Sequence, residues 1–525
     1  MDAGIAFEID GRAVEVPDDG ASLLEAMRDR LGARSPKDGC SPQGQCGCCT
    51  VLVDGAPRVA CVTPARRVAG RRVTTVDGLP DDEKARWAGA FVATGASQCG
   101  FCTPGIIVRL SGLAGRRTSA GDTGAVERAL AAHLCRCTGW RTILEAWALV
   151  ACGREVARPG RDMVAAAARA TIEGGAPQEV GAHVALGGGG FADDTAPGDA
   201  LVAVPDGTGD ADGWVVGETL AEARAAAGKV QGRRTTIEAR HPLEVPAGNW
   251  DLTLRTTWVE PAYLETDASW CEPGGRPVTP LANGGAFGAK VASPAPGAAR
   301  RLADEHGRAV RVLLSREDTV SLGAKRPPLA AGVRANGTGV VHVVRTPGIA
   351  AAIAAAAPGL EVVEVDVAGP PTSAAARGAG WAEAAVLLAA VRGAQPVTIT
   401  SPAGATATAE VGPDGVSVRV SCGRVLDEVV LRSYCVGAAH MALGWVRSEG
   451  IAVDEAGVVH DLTIRSFGIL RAADMPPVEV EVAPSDGPPV SGSDAVFAAV
   501  AAADWVRQGC PPEWPTRPAD RGRRL

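Results

Sequence analysis

Eight of the nine cysteines in the first 140 residues fall into two four-cysteine sets, and nothing else in the 525-residue chain restricts its folding so tightly. The first set is Cys40, Cys46, Cys49 and Cys61, spaced Cys-x5-Cys-x2-Cys-x11-Cys. The second is Cys99, Cys102, Cys135 and Cys137, a Cys-x2-Cys pair followed by a Cys-x-Cys pair. Thiolates grouped in fours hold soft metal ions or iron–sulfur clusters. Two such sites in tandem suggest a short electron wire. Structural zinc also suits four thiolates. An even count of 14 cysteines permits a disulfide framework, but the tight spacing counts against it. Cys48, Cys152, Cys271, Cys422, Cys435 and Cys510 read as buried small hydrophobes. Cys48 is placed to exchange with a neighbouring ligand.

The net charge is −8 without long runs of one sign, which disfavours a nucleic-acid partner and gives no polybasic signal for a membrane surface. No apolar run reaches the roughly 18 residues of a spanning segment. The opening MDAGIAFEIDGR does not read as a secretory signal. The expectation is a cytoplasmic protein with neither membrane nor nucleic-acid partners. Thiols stay reduced there, so grouped cysteines point to metal binding or catalysis before disulfides. The length predicts three or more domains.

Residues 5–16 alternate apolar and polar about Asp10-Gly11, a hairpin signal. Ser22 and Glu25 form a capping-box pattern before Leu23, Leu24, Met27 and Leu31 at helical spacing, and Gly32 can end the helix. TVLVDGAPRVAC predicts a second hairpin about Asp54-Gly55, with Cys61 on its returning strand. These elements predict a β-grasp, ferredoxin-like domain over 1–78. Its Gly39, Gly44 and Gly47 let a loop close with N–H groups aimed at sulfur. Residues 79–155 predict four helices at 81–95, 104–114, 122–134 and 141–152, so that both cysteine turns meet over one end of a small bundle. Residues 156–185 are a candidate linker. Beyond it, DLTLRTTW, GTGVVHVVR, LEVVEVDV, PVTITSP, SVRVSC and VEVEVAP read as strands. ETLAEARAAAGKV, PGAARRLADEHG and SDAVFAAVAAADWV read as helices. The predicted fold class is α+β multidomain.

GQCGCCTVLVDG, GASQCGFCTPG and LCRCTGWRTI resemble the two iron–sulfur signatures of the xanthine dehydrogenase and aldehyde oxidase family of molybdenum hydroxylases. The resemblance implies one [2Fe-2S] cluster on each cysteine set and puts Gln98 near the pterin end of the electron path. A helix-end hydrogen bonder is the alternative for Gln98. The departure is Cys40-Ser-Pro-Gln-Gly-Gln-Cys46, one residue longer than the plant-type ferredoxin gap. Residues 186–525 resemble a shortened molybdopterin-binding part, with a partial hammerhead-like segment over 186–245 and the pterin-binding-like region over 246–525. GGAFGAK resembles the glycine-rich loop that approaches the molybdenum, which makes Gly284, Gly285, Phe287 and Gly288 cofactor-binding candidates. PPTSAAARGAGWAE resembles the loop whose arginine, here Arg377, flanks the metal. The implied cofactor is molybdopterin, with the cytosine dinucleotide form one candidate.

The departures matter for function, because shared ancestry does not carry activity with it. The pterin-binding-like region is shorter than the family's. The family's general base is a glutamate, and Asp494 is the only carboxylate in the matching stretch PPVSGSDAVFAA. Aspartate is one methylene shorter, and a misplacement of about 1 Å costs on the order of 100-fold in rate. A helix N-cap is the alternative for Asp494. Three functions stand. The chain is an electron-transfer part of a larger oxidoreductase whose pterin site a partner completes, a self-sufficient molybdenum hydroxylase of an aldehyde or N-heterocycle, or an iron–sulfur interaction or assembly protein. The shortened pterin-binding-like region favours the first. No glycine cluster sits in a strand–GxGxxG–helix setting for FAD. The implied partners are therefore a FAD-binding subunit or other electron acceptor, a second molybdopterin-binding subunit and a small-molecule substrate.

Overall fold

Ile5, Phe7 and Ile9 alternate with polar residues and so need one buried face, which Gly4–Ile9 gains by pairing antiparallel with Arg12–Pro17. Asp10 and Gly11 take the two left-handed positions of the turn (φ 50° and 78°). Asp54 and Gly55 repeat that turn between Thr50–Val53 and Ala56–Val59 (φ 49° and 76°). The computed structural model describes residues 4–114, 119, 121–153, 160–208, 212–228, 232, 235, 237–279 and 285–517. Arg72–Thr74 completes the first sheet, in the order Arg12–Pro17, Gly4–Ile9, Arg72–Thr74, Thr50–Val53, Ala56–Val59. Ser22 caps Leu23–Glu25 by accepting from Glu25 N–H, and the helix widens into a π-turn over Ala26–Arg30. Cys61 is not on the returning strand. That strand ends at Val59, and Cys61 sits in the 3-10 turn Ala60–Val62, where Ala60 N–H reaches the Cys49 carbonyl at 3.2 Å. Leaving the ladder lets the thiol turn back toward the cysteine loop.

Four helices follow at Asp81–Thr94, Thr103–Ala114, Thr123–Ala129 and Arg141–Ala151. The third is shorter than expected and tightens to a 3-10 turn, Leu130–Ala132, which places His133 and Leu134 in extended chain ahead of Cys135. Trp87 and Trp147 fill the bundle, ring centroids 6.2 Å apart.

The candidate linker is not a plain connector. Residues 154–159 lie outside the described residues, but Met163–Gly174 is a helix capped by Asp162. Its Arg169 is fully buried and donates to the carbonyls of Val425 (2.9 Å), Arg424 (2.5 Å) and Val490 (2.9 Å) and to Glu173 (3.0 Å). Glu173 in turn accepts from Gly492 N–H (3.1 Å) and Ser493 N–H (2.9 Å), closing the N-terminus of the helix Gly492–Arg507.

Three more sheets complete the chain. One orders Trp214–Gly217, Leu201–Pro205, Val310–Leu313 and Ala268–Cys271, so strands from before and after residue 245 share a sheet. The expected boundary near 245 therefore divides a single folding unit. The second orders Leu360–Val365, Gly339–Val344, Leu329–Val333, Leu252–Thr256 and Glu513–Trp514. The third orders Val397–Thr400, Thr406–Val411, Val416–Ser421 and Val478–Val482, with Gly492–Arg507 packed across it. Glu428–Arg447 packs against that helix. Contrary to the sequence expectation, this 20-residue helix is long and apolar enough to cross a membrane, with a mean hydropathy of 1.3. In the fold, 89% of its apolar window is buried, so the apolar run is core.

Arg169→Ala would leave Glu173 buried without its counter-charge. The expected cost is about 3–5 kcal/mol, read as a lower denaturant midpoint, with Glu173→Gln less severe.

Candidate functional site

The loop between the first hairpin region and Thr50 folds around the first cysteine set, with Gly44 and Gly47 both left-handed (φ 70° and 72°). Cys40, Cys46, Cys49 and Cys61 are all buried to 4% exposure or less. The Cys40 sulfur meets those of Cys46 and Cys61, and Cys61 also meets Cys49. Backbone N–H groups point at these sulfurs: Gln43 (3.2 Å) and Gln45 (3.5 Å) to Cys40 Sγ, and Cys61 (3.5 Å) to Cys49 Sγ. Cys48 is also buried, with its thiol turned to the Cys46 carbonyl at 3.8 Å.

The second set gathers where two helix turns meet. Cys99 Sγ lies 3.7 Å from Cys137 Sγ, and Cys102 contacts Cys135, whose sulfur is 3.1 Å from Thr138 Oγ1. Among the described residues, no group of three or more His, Cys, Asp or Glu side chains closes on a single metal-ion position. The second-set sulfurs meet two by two. The Cys135 thiol is pulled down to about 6, first by its hydrogen bond with Cys102. Cys102 and Cys137 are pushed up by the sulfurs beside them and by burial. Four buried thiols cannot all ionise side by side unless positive charge enters among them. Both donor sets thus fit an iron–sulfur cluster held by four thiolates.

The two loops lock together. Leu134 N–H donates to the Cys46 carbonyl at 3.0 Å, so one hydrogen bond joins the backbone of Cys46 to the residue immediately before Cys135. A Cβ on Gly105 would lie 2.4 Å from the Gly47 carbonyl, and one on Gly47 would lie 2.5 Å from the His133 ring. His133 Nε2 pairs with Thr50 Oγ1 at 3.1 Å, and burial pushes its pKa down to about 3, so the ring is neutral.

Gln98 and part of the glycine-rich loop converge beside Cys137. Gln98 Nε2 donates to the Cys137 carbonyl and to Ser433 Oγ, both at 3.0 Å, while its Oε1 is buried without a hydrogen-bond partner. Gly284 lies outside the described residues. A Cβ on Gly285 would be 3.2 Å from Cys137 Sγ, and one on Gly288 would be 1.9 Å from the Ala375 carbonyl. Phe287 lies 4.2 Å beneath the Arg377 guanidinium.

Arg377 is not open to a ligand. Its Nε donates to Asp494 Oδ1 at 3.0 Å, Nη1 faces Met441 Sδ at 3.4 Å and Nη2 meets Ser493 Oγ. Asp494 is not the N-cap either. Ser491 holds that position, and Asp494 sits in the first turn as the partner of Arg377. The cavity bounded by Arg136, Pro261, Ala286, Arg377, Met441 and Trp445 is about 30 Å³, room for one or two waters. As arranged, these residues do not fit a pterin. A larger cavity of about 140 Å³ lies between Pro42 and Phe101 on one side and Leu313 on the other. Arg28 on its wall is already committed to Asp193 and Asp194, both at 2.7 Å.

Four charged residues escaped the sequence reading. Arg136 sits between two cysteines and forms a buried fork on Glu449, Nη2 to Oε2 at 2.7 Å. Arg316 and Arg465 each bond a carbonyl of the first cysteine loop. Arg136 lies inside the motif LCRCTGWRTI, but its partner, like those of Arg316, is distant in the chain.

Two family models match in tandem, the 2Fe-2S iron-sulfur cluster binding domain over residues 7–69 and the [2Fe-2S] binding domain over residues 75–148. The iron-sulfur-binding subunit of xanthine dehydrogenase from Escherichia coli is 39% identical over 127 residues, 24% of this chain and 79% of that protein. The small subunit of nicotine 6-hydroxylase from Paenarthrobacter nicotinovorans is 38% identical over 143 residues, 27% of this chain and 86% of that protein. The fold likeness reaches further. The solved aldehyde oxidoreductase of Desulfovibrio gigas aligns over 99% of both chains with a TM-score of 0.68, at 14% identity, which speaks to fold alone.

A Cβ on Gly437, in the helix Glu428–Arg447, would lie 1.7 Å from the Cys137 carbonyl, a contact no side-chain rotation relieves. Gly437→Ala is expected to push the second loop off its position and lower iron from about four to about two per chain, measured by metal analysis.

Proposed function

Because the chain belongs to the xanthine dehydrogenase and aldehyde oxidase family of molybdenum hydroxylases, we propose that it is the electron-carrying chain of such an oxidoreductase, with its molybdopterin centre completed by a partner subunit. One observation carries this reading. Two buried four-thiol cradles are joined through Leu134 and Cys46, while the pterin-side cavity is closed around an Arg377–Asp494 ion pair.

In this reading Cys40, Cys46, Cys49 and Cys61 hold one [2Fe-2S] cluster, and Cys99, Cys102, Cys135 and Cys137 hold the other. Such clusters, when bound, supply reversible one-electron storage at a potential set by charge, hydrogen bonds to sulfur and exposure. The protein's own part is to keep the thiols dry, to direct Gln43, Gln45 and Cys61 N–H groups at sulfur, and to hold the two loops in contact. The second set lies on the pterin side, since Gln98 and Gly285 stand against Cys137. The first set then faces the acceptor, a FAD-binding subunit or another electron carrier. The buried Oε1 of Gln98 is an acceptor that a pterin presented by the partner would satisfy. Asp494, engaged by Arg377, is not assigned the role of proton acceptor. The substrate is a small molecule and the compartment the cytoplasm.

Cys102→Ser or Cys137→Ser is expected to abolish one of two [2Fe-2S] signals in the paramagnetic resonance spectrum of the reduced protein and leave the other. Two unaltered signals would reject the ligand assignment. Iron and molybdenum counted on the complex purified with its partners test the rest. About four irons per chain with molybdenum lost on removing the partner supports the reading, whereas iron without molybdenum in the intact complex favours an assembly role.

A further inference from the structure

Two arginines from outside the cysteine-bearing region converge on the first loop. Arg316 opens the helix Arg316–Leu322 and is fully buried. Its Nη2 donates to the Gly39 carbonyl at 2.7 Å and the Leu264 carbonyl at 2.8 Å, and its Nη1 is buried with no hydrogen-bond partner. Arg465, in the 3-10 turn Ile464–Phe467, donates from Nε to the Gln45 carbonyl at 2.9 Å and from Nη2 to the Ala131 carbonyl at 2.9 Å. Its charge acts on the sulfurs of Cys40 and Cys46. Gly39 and Gln45 are the residues immediately before Cys40 and Cys46, so each guanidinium grips the chain one peptide short of a sulfur.

Neither charge is held in an ion pair. Among the described residues, Arg316 and Arg465 form no ion pair with a carboxylate, and every hydrogen-bond acceptor they reach is a neutral carbonyl. The carboxylates that touch this loop serve other partners. Glu317 accepts from Gln43 Nε2 at 3.0 Å, and Asp38 accepts from Ser41 N–H at 2.9 Å and lies 3.9 Å from Arg224. The second set has the opposite arrangement. Its adjacent cation, Arg136, is matched by Glu449 with both groups buried.

Accepting an electron adds negative charge, so positive charge held beside the sulfurs, fully buried in Arg316 and half-buried in Arg465, favours the reduced state. On the reading that both sets hold clusters, we infer that Arg316 and Arg465 hold the Cys40 set at a higher reduction potential than the Cys99 set, and so give the wire its direction. They are positioning residues, acting on sulfur through field and loop geometry from parts of the chain remote in sequence. Arg136 and Glu449 keep the second site less positive, which leaves an electron there free to move on.

The test is a redox titration of the full chain with its clusters, followed by paramagnetic resonance, with the two signals assigned from Cys46→Ser and Cys137→Ser. In the unaltered protein the first-set signal is expected to appear at the higher potential. Arg465→Gln is expected to weaken reduction of the first set about tenfold, roughly 59 mV for a one-electron couple, without moving the second. Arg465→Lys, which keeps the charge, should restore most of the shift, an outcome that mere loss of a loop contact would not give. Arg316→Gln should act in the same direction. Glu449→Gln, which uncovers Arg136, should instead raise the second set. Four irons and two signals with potentials unmoved by Arg465→Gln would overturn the inference alone, as would a second set that reduces first. A protein without two cluster signals would overturn the underlying reading as well.

Discussion

The hydrogen bond from Leu134 N–H to the Cys46 carbonyl closes the two cysteine loops on each other, and much of the structure serves to keep that junction dry. Eight buried thiols cannot be left as eight charges in a low-dielectric interior, because desolvation of each ion costs several kcal/mol. The fold answers with backbone N–H groups at sulfur, with cations that bind the loops through carbonyls, and with glycines where two backbones touch. Gly47 and Gly105 mark that contact, because any Cβ there would enter His133 or the facing carbonyl. A neutral His133, held on Thr50, adds no charge between the sites.

The pterin-side pocket follows a different logic. Most of its charged groups are paired: Arg377 with Asp494, Arg326 with Glu383 at 2.6 Å, and Arg136 with Glu449. Arg326 lies on the Trp445 ring at 4.0 Å and also donates to the Arg377 carbonyl at 2.5 Å. Separating such buried pairs is costly, since each half would be left as an uncompensated charge. A cavity lined this way is stable when closed. It does not wait for a pterin as an apolar cleft with unpaired groups would. Arg326 Nη2, on its wall, and Gln98 Oε1, beside Cys137, are both buried without a hydrogen-bond partner.

Much of the N-terminal part was legible in the sequence because its signals are local. Asp10-Gly11 and Asp54-Gly55 fix their turns through backbone conformation alone, and the helices between 81 and 151 carry their own apolar faces. Cys61 was misplaced on a strand because the 3-10 turn that carries it answers to the cysteine loop and not to the hairpin. The candidate linker failed for a similar reason. Ala-rich composition and Gly174-Gly175 hide a helix whose one decisive residue, Arg169, takes its partners from residues 424, 425 and 490. The apolar run in Glu428–Arg447 was passed over because Arg432 and small residues dilute it, yet burial from several sides makes it core. Asp494 shows the limit most clearly. Its place in the chain suits a base or a cap, but Ser491 takes the cap position and Arg377, remote in sequence, pairs with its carboxylate.

The region beyond residue 186 is therefore more than a shortened remnant around a closed pocket. Arg28 and Lys37 of the first domain reach Asp193 and Asp194, Gln43 reaches Glu317 and the Leu462 carbonyl, and Arg465 reaches back to Gln45. Lys37 is fully buried, so removing its acidic partner would strand a charge inside the first domain. A chain built only to hold two clusters would have to leave the Cys40–Cys46 loop to water or supply these charges locally. Here the later region covers the loop, carries both unmatched arginines and anchors the second loop through Glu449 and Gly437. The electrostatics of the N-terminal clusters and the packing of the C-terminal half are thus one problem, solved by contacts that no short stretch of sequence contains.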